Sequence, residues 1–318
     1  MEPLVSVILT VYKRTEYLKE AISGVLNQSE IRYEIIVSDD SNCEEIKKIS
    51  ETFQNPRIKY RCNKTNLGVA QNVRSAINEA RGTFITILND DDYWKPDFLE
   101  KLLLPLKNNP EIVMAFCNHW LVNEVGIINK QATEDVEERY GRSILKAGEL
   151  SNWKKFAVIQ NGVPLAMASI FRKDALPLEC IFPETKGAYD YWISCLLAKT
   201  GGLAYFVSER LTCYRIHNTM ETGRKSVDKR LNMVFIFQTL LLEKYFPEFQ
   251  HELREKLLLA LENVGIDHLK FNDTQKARGY FLKVIFMRFR FKSVMGLMLT
   301  LLPKFVLPFT LSKENHGL

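Results

Sequence analysis

The stretch Thr83-Phe84-Ile85-Thr86-Ile87-Leu88-Asn89-Asp90-Asp91-Asp92-Tyr93-Trp94-Lys95-Pro96 decides how the rest of this chain is read. Its β-branched and aromatic residues predict a strand, and that strand runs straight into three adjacent carboxylates. Aspartates crowded at a strand end repel one another unless a cation sits among them, and oxygen donors suit Mg²⁺ or Mn²⁺. The competing reading is a solvated acidic turn leading into a helix after Pro96. What lies on either side separates the two.

Working outward, Val5-Ser6-Val7-Ile8-Leu9-Thr10 predicts a buried strand. A helix opening at Thr15 follows, with Leu18, Ala21, Ile22, Val25 and Leu26 at helical spacing. Glu34-Ile35-Ile36-Val37-Ser38 predicts a second strand that ends in Asp39-Asp40-Ser41-Asn42. A helix from Glu44 to Phe53 and a third strand, Ile58 to Cys62, come next. After a turn at Asn66-Leu67-Gly68, a helix from Val69 to Ala80 stops at Arg81-Gly82 and returns to the Thr83 strand. Strands alternating with helices predict an α/β fold, a mostly parallel, Rossmann-like sheet flanked by helices, with a ligand crevice beyond the carboxyl ends of the strands. Thr10, Asp39, Asp40 and the Asp90–Asp92 run all fall at such ends. Polar groups from three strands on one edge point to a binding site.

The pattern continues with a helix from Pro96 to Asn108 and a strand from Ile112 to Asn118. Leu121 to Asn161, rich in Glu, Asn and Gly, reads as a long irregular excursion, and Val163 to Arg172 returns to the core. Pro183 to Trp192 leads into a helix that ends at Gly201-Gly202, and two short strands, Leu203 to Val207 and Leu211 to Tyr214, precede Arg215-Ile216-His217-Asn218. Beyond Arg224 only helical periodicity remains, over Lys229 to Glu243, Gln250 to Phe271 and Thr274 to Phe289. Two domains are expected, an α/β domain over 1–223 and a C-terminal helical extension over 224–318.

Composition bounds the function classes. At 46% hydrophobic and 25% charged, the 318 residues are ordinary globular material. Six cysteines lie scattered without CxxC or Cys/His ligand spacing, which favours reduced, buried thiols and indicates neither a disulfide framework nor a zinc site. Met1-Glu2-Pro3 lacks a basic leader, so a cytoplasmic location is expected. The net charge of +5 is unevenly placed, because residues 224–318 carry 16 Lys/Arg against 9 Asp/Glu. Thr274 to Lys313 contains no acid, and its cations interleave with Phe281, Ile285, Phe286, Phe289 and Phe291. The apolar run Val294 to Leu302 is about half of the roughly 18 residues needed to span a bilayer, so it is expected to lie on an anionic membrane surface rather than cross it. A helical cap whose apolar face is core is the alternative. No nucleic-acid motif accompanies the charge.

Taken in order, Val5–Thr10 with Tyr12 and Arg14, Leu26-Asn27-Gln28, Ile36-Val37-Ser38-Asp39-Asp40-Ser41, Asn66-Leu67-Gly68, Ala80-Arg81-Gly82 and Leu88 through Pro96 resemble the family 2 glycosyltransferases. Tyr189-Asp190 and Tyr214-Arg215-Ile216-His217 match the family's later motifs more loosely, and the resemblance covers residues 4 to about 217. It implies a GT-A fold and inverting, metal-dependent transfer of a sugar, from a nucleotide diphosphate donor such as a UDP-sugar to a saccharide or lipid-linked saccharide, as in surface polysaccharide synthesis. By the same resemblance Thr10 and Asp40 meet the nucleotide base and ribose, with Asp39 beside them supporting the turn. Tyr12 and Arg14 belong to the same nucleotide-binding edge, and Asp90 lies toward the ribose. Asp91 becomes the main protein ligand of Mn²⁺ or Mg²⁺, His217 closes on the metal or diphosphate, and Asp190 is the catalytic base.

Two departures stand out. Asn89 replaces an acid of the family's DXD motif, and Leu196 and Leu197 stand where a helix arginine is usual. Trp192 offers a face to an acceptor sugar or, equally, a core position. Two other readings remain. A nucleotidyltransferase would carry a glycine-rich phosphate loop after the first strand, and Thr10-Val11-Tyr12-Lys13-Arg14 has no glycine. A non-catalytic nucleotide-sugar-binding module is favoured by the two departures and opposed by Asp91 and Asp190.

Overall fold

The computed structural model describes residues 3–150, 152–218 and 227–301. The chain divides into two compact units, one ending at Gly223 and the other beginning at Arg224. The first unit is a nine-stranded sheet with helices packed on it. Its strands are β1 (Val5–Val11), β2 (Tyr33–Asp39), β3 (Ile58–Cys62), β4 (Phe84–Asn89), β5 (Tyr93–Trp94), β6 (Ile112–Val122), β7 (Gly148–Leu150), β8 (Ser169–Arg172) and β9 (Leu203–Arg215). Their order is β3-β2-β1-β4-β8-β6-β9-β5, with β7 added to β9.

The half of the sheet that carries the strand-end acids is wholly parallel. β8 runs antiparallel between β4 and β6, and β5 and β7 run antiparallel to β9. The fold is therefore α/β with a mixed sheet and a parallel core. β1 and β2 are buried along their whole length, as expected of strands covered on both faces. The Leu18–Leu26 helix buries Leu18, Ala21, Ile22 and Val25, the positions that recur along one helical face. Register then aligns the site, since Thr10 lies between Ser38 and Asn89 on the neighbouring strands.

Where the structure departs from the sequence reading, the causes are local. The Leu121–Asn161 excursion contains a helix, Lys130–Arg139, started by Asn129, whose side chain accepts from the Ala132 N–H at 3.0 Å. That helix buries only Thr133 and Glu137, so it has no apolar stripe for periodicity to find. The two short strands expected after Gly202 are one, β9, interrupted by an irregularity at exposed Ser208 and Glu209 opposite Cys117 and Asn118. All six cysteines are free thiols.

The second unit consists of the helices Val227–Leu242, Gln250–Lys270, Thr274–Met287 and Phe291–Leu299. No helix among the described residues is long and apolar enough to cross a membrane. The sequence's apolar run beyond Leu301 lies outside the described residues.

Close packing at the amino end of the sheet makes one glycine indispensable. The Gly82 N–H donates to Ser6 Oγ at 2.9 Å, and a Cβ at position 82 would stand 2.5 Å from the Ser6 backbone nitrogen. Backbone cannot yield as a flexible side chain does. Gly82→Ala is expected to lower stability by about 2 kcal/mol or more in urea unfolding, the range of overpacked cores. A midpoint equal to that of the unmodified protein would show that β1 yields freely.

Candidate active site

The three carboxylates after β4 are all buried, and each is answered by a cation or donor from elsewhere in the chain. Arg14, three residues past β1, donates from Nε to Asp90 Oδ1 at 3.1 Å, pairs with the same oxygen through Nη2, and reaches Asp91 Oδ2 from Nη1 at 2.8 Å. His217 Nε2 stands 3.0 Å from Asp91 Oδ2 and 3.1 Å from Arg14 Nη1, with the Tyr17 ring 5.3 Å from its own. Asp92 points the other way, where Oδ1 accepts from the Arg215 N–H at 2.9 Å and Oδ2 from the Asn89 side chain at 2.9 Å. Asn89 thus stabilises its neighbour by a hydrogen bond, and a fourth carboxylate at that position would repel the other three.

Burial sets the acidity of the cluster. It pushes Asp90 up to about 7, with Arg14 pulling it down and Asp91 adding to the rise. Burial, reinforced by Asp91, drives Asp92 well above the ordinary carboxylate range. Asp90 and Asp92 therefore hold their protons more readily than exposed aspartates do.

Arg215 has a different fate from Arg14. It is buried, and its guanidinium donates to the carbonyls of Asp91 (3.0 Å), Asn123 (3.3 Å) and Glu124 (2.8 Å) and to Glu20 Oε2 (2.5 Å). It also lies over the Tyr17 ring at 4.4 Å. Arg215 braces the loop after β4 against β9 and the first helix, and this use leaves it no role toward a diphosphate.

At the neighbouring strand end the two aspartates divide the work. Asp39 accepts from Ser41 N and Oγ, from Cys43 N and from the Tyr60 hydroxyl, at 2.6–2.9 Å. Its acceptor sites are spent on its own turn and on Tyr60 of β3, which corrects its grouping with the nucleotide contacts and leaves it the turn-supporting role. Asp40 accepts from Asn63 Nδ2 (2.8 Å), Leu67 N (2.9 Å) and Gly68 N (2.8 Å). It shapes the Asn66-Leu67-Gly68 turn and keeps about one acceptor position of a carboxylate's four. Thr10 is buried beside it and Tyr12 is half exposed.

Asp190 occupies the second position of the Tyr189–Lys199 helix, where Ala188 and not Asp190 is the cap. Its Oδ1 accepts from the Tyr191 N–H at 2.8 Å, and burial raises its carboxyl. The phenol of Tyr189 is pushed up by burial and then by the charges of Asp190, Asp92 and Asp91. Its buried hydroxyl has no hydrogen-bond partner among the described residues. Tyr17 and Glu20 are neighbours the sequence reading missed, because they belong to no motif and become neighbours only through folding, and Tyr189 entered that reading only as the residue before Asp190.

Trp192 requires a correction. It is fully buried, donates from Nε1 to the Cys180 carbonyl at 2.6 Å and lies 5.8 Å from the Phe182 ring, so it is core and presents no face to an acceptor. Trp94 likewise packs, stacked on Phe98 at 4.3 Å.

Buried acids, a histidine and an arginine are thus gathered at the carboxyl edge of the parallel half of the sheet. Residues 6–160 match the family described as Glycosyl transferase family 2, and over that span the chain is similar to its members. A glycosyltransferase of Haemophilus influenzae, uncharacterised, is 29% identical over 231 residues, 70% of this chain and 68% of that protein. The Escherichia coli UDP-Glc:alpha-D-GlcNAc-diphosphoundecaprenol beta-1,3-glucosyltransferase WfgD is 32% identical over 128 residues, 40% of this chain and 50% of the enzyme. The match thus spans half the length of that relative. The structure of S. aureus TarS residues 1–349 in complex with UDP-GlcNAc superposes with a TM-score of 0.61 over 95% of this chain and 80% of TarS, at 16% identity, which establishes the GT-A fold.

The Arg215 brace can be tested directly. Lysine keeps the charge but offers one compact ammonium in place of a planar fork, so Arg215→Lys abandons most of these acceptors. Its urea-unfolding free energy is expected to fall by about 3 kcal/mol, typical of a broken buried network. A loss under about 1 kcal/mol would mean that Glu20 and the loop carbonyls need no such partner.

Proposed function

We propose that this chain transfers one sugar, with inversion, from a nucleotide diphosphate donor to a saccharide or lipid-linked saccharide acceptor in surface polysaccharide synthesis. The observation that carries the proposal is the meeting of Arg14, Asp90, Asp91 and His217 at the carboxyl edge of a GT-A sheet. A UDP-sugar is the preferred donor. The Escherichia coli relative's name specifies a UDP-glucose donor and a diphosphoundecaprenol-linked acceptor, which supports both choices.

A divalent ion fits the donor set. Among the described residues no group of three or more His, Cys, Asp or Glu side chains is poised around one point. Two are, since Asp91 Oδ2 and His217 Nε2 stand 3.0 Å apart, close to the separation of adjacent ligands on an octahedral ion with bonds of about 2.1 Å. Mn²⁺ or Mg²⁺ held there would stabilise the negative charge of the departing diphosphate. Arg14 brings positive charge to the same carboxylates and suits diphosphate oxygens equally well. Asp40 and Thr10 are assigned to the nucleoside.

Asp190 is assigned as the base. Inverting displacement requires a carboxylate that takes the acceptor hydroxyl proton as the new bond forms. Burial makes Asp190 a stronger base than an exposed aspartate, and the helix amino end orients it.

The reading as a whole is tested by incubating the protein with a panel of nucleotide sugars and Mn²⁺ and measuring released nucleotide diphosphate; release from none would reject it. Asp91→Ala is expected to abolish the Mn²⁺-dependent part of nucleoside diphosphate binding in calorimetry while leaving the fold intact. Affinity that is unchanged with and without Mn²⁺ would remove Asp91 from the metal site. Asp190→Asn keeps the shape and the local hydrogen bond but removes the basicity. It is expected to preserve thermal stability and nucleotide binding and to cut transfer by at least about a hundredfold. Transfer within a few-fold of normal would assign the base elsewhere, with Glu184 the next residue to test.

A further inference from the structure

The Phe291–Leu299 helix is turned the opposite way from a helix that faces water. Its fully buried positions, Ser293, Gly296 and Thr300, are small or polar, and Leu297 and Leu299 pack partly against the Phe281 cluster beside them. Its outward positions are large and apolar, with Phe291 70% exposed, Met295 50% and Met298 63%. These three are four and three residues apart and so form one stripe. The cause is steric. Phe281 of the preceding helix fills the interior, and a Cβ at Gly296 would stand 2.5 Å from its ring, so only the small face of the helix can turn inward. Ser293 adds a hydrogen bond from its hydroxyl to the buried Glu262 carboxylate at 2.6 Å. Both contacts leave the Phe/Met face outside.

The stripe does not stand alone. Phe286 (85%) and Phe289 (72%), at the end of the Thr274–Met287 helix and in the connector that leads into the stripe, are exposed as well. Arg288 and Arg290 of the connector reach back toward Glu255 and Glu262, which anchors the backbone and leaves the intervening Phe289 exposed. Lys283 and Lys292 beside the stripe are exposed and pair with no acid among the described residues. From Thr274 to Leu301 the chain has no acidic residue at all. Exposed phenylalanines in such number mark an interaction surface, and the charges near them that no acid answers, those of Lys283 and Lys292, are of one sign.

We propose that this face of the helical unit binds an anionic phospholipid bilayer, with Phe286, Phe289, Phe291 and Met298 entering the acyl boundary while Lys283 and Lys292 meet headgroup phosphates. A short, aromatic-rich amphipathic element with cations at its margin lies in the interface plane, and these helices are too short to span the bilayer. A bilayer accounts for both features of the face, its apolar depth and its cationic rim. The inference concerns a surface apart from the chemistry at Asp91 and Asp190, and its test requires no turnover.

Full-length protein is mixed with vesicles of phosphatidylcholine alone or phosphatidylcholine with phosphatidylglycerol, and the bound fraction is measured by flotation. Binding to the anionic vesicles is expected, weaker by at least about tenfold on the neutral ones and reduced by added salt. The exposed triple substitution Phe286→Ser/Phe289→Ser/Phe291→Ser should abolish binding with the circular dichroism spectrum unchanged. Lys283→Glu/Lys292→Glu should remove the preference for anionic lipid. Equal partition onto both vesicle types, or binding that survives the serine substitutions, overturns the proposal. So does sedimentation of the unmodified chain as a dimer that the serine substitutions dissociate, with vesicle binding by neither, which would assign the face to a second copy.

Discussion

Three adjacent aspartates buried at the end of one strand form the constraint to which the first unit is built. Carboxylates removed from water at this spacing are strongly unfavourable unless each finds a cation or a donor. Here Arg14 answers Asp90 and Asp91, His217 stands against Asp91, and Arg215 and Asn89 answer Asp92. Apart from Asn89, the partners come from chain segments on either side of the acids and far from them in sequence. Meeting the demand of Asp90 to Asp92 therefore draws together the end of β1, the end of β4 and the end of β9 at one edge of the sheet.

The two arginines illustrate how similar side chains acquire different roles. Arg215 is enclosed by carbonyls, Glu20 and two aromatic rings, and each of its three nitrogens donates to an acceptor of the protein. Arg14 is partly open, held only by groups that a ligand could also use. A rigid brace behind the acids and a displaceable cation in front of them is the arrangement expected of a site that exchanges charged ligands, because the supporting contacts stay fixed while those facing the ligand change. The same division separates Asp39, spent on its turn, from Asp40, which keeps an acceptor position.

In the helical unit the decisive constraint is volume. Phe281 lies against both Gly265 and Gly296, where any side chain would collide with its ring. That packing selects which face of the last described helix is buried, and it is the face with the smaller residues. Burial normally follows hydrophobicity, and its reversal here is what distinguishes a surface made for a partner from an ordinary solvated helix.

The strand-helix alternation, the parallel order of the first strands and the position of the acids at strand ends were readable from the chain alone, because hydrophobic period and turn residues are local properties. The Leu18–Leu26 helix and β1 appear within a few residues of where their patterns place them. The Lys130–Arg139 helix was not readable, since it buries a threonine and a glutamate and carries no stripe. Side-chain assignments divide along the same line. That Asp91, His217 and Arg14 are chemically suited to one another follows from their types, but that they touch depends on contacts across 77 to 203 positions of chain. Trp192 had the right chemistry for a sugar platform, and only the folded structure showed its ring enclosed against Phe182 and the Cys180 carbonyl. Residue type and spacing determine what a side chain can do; tertiary packing decides whether it faces a ligand, a partner or the core, because burial and contact are set by segments that have no proximity in sequence.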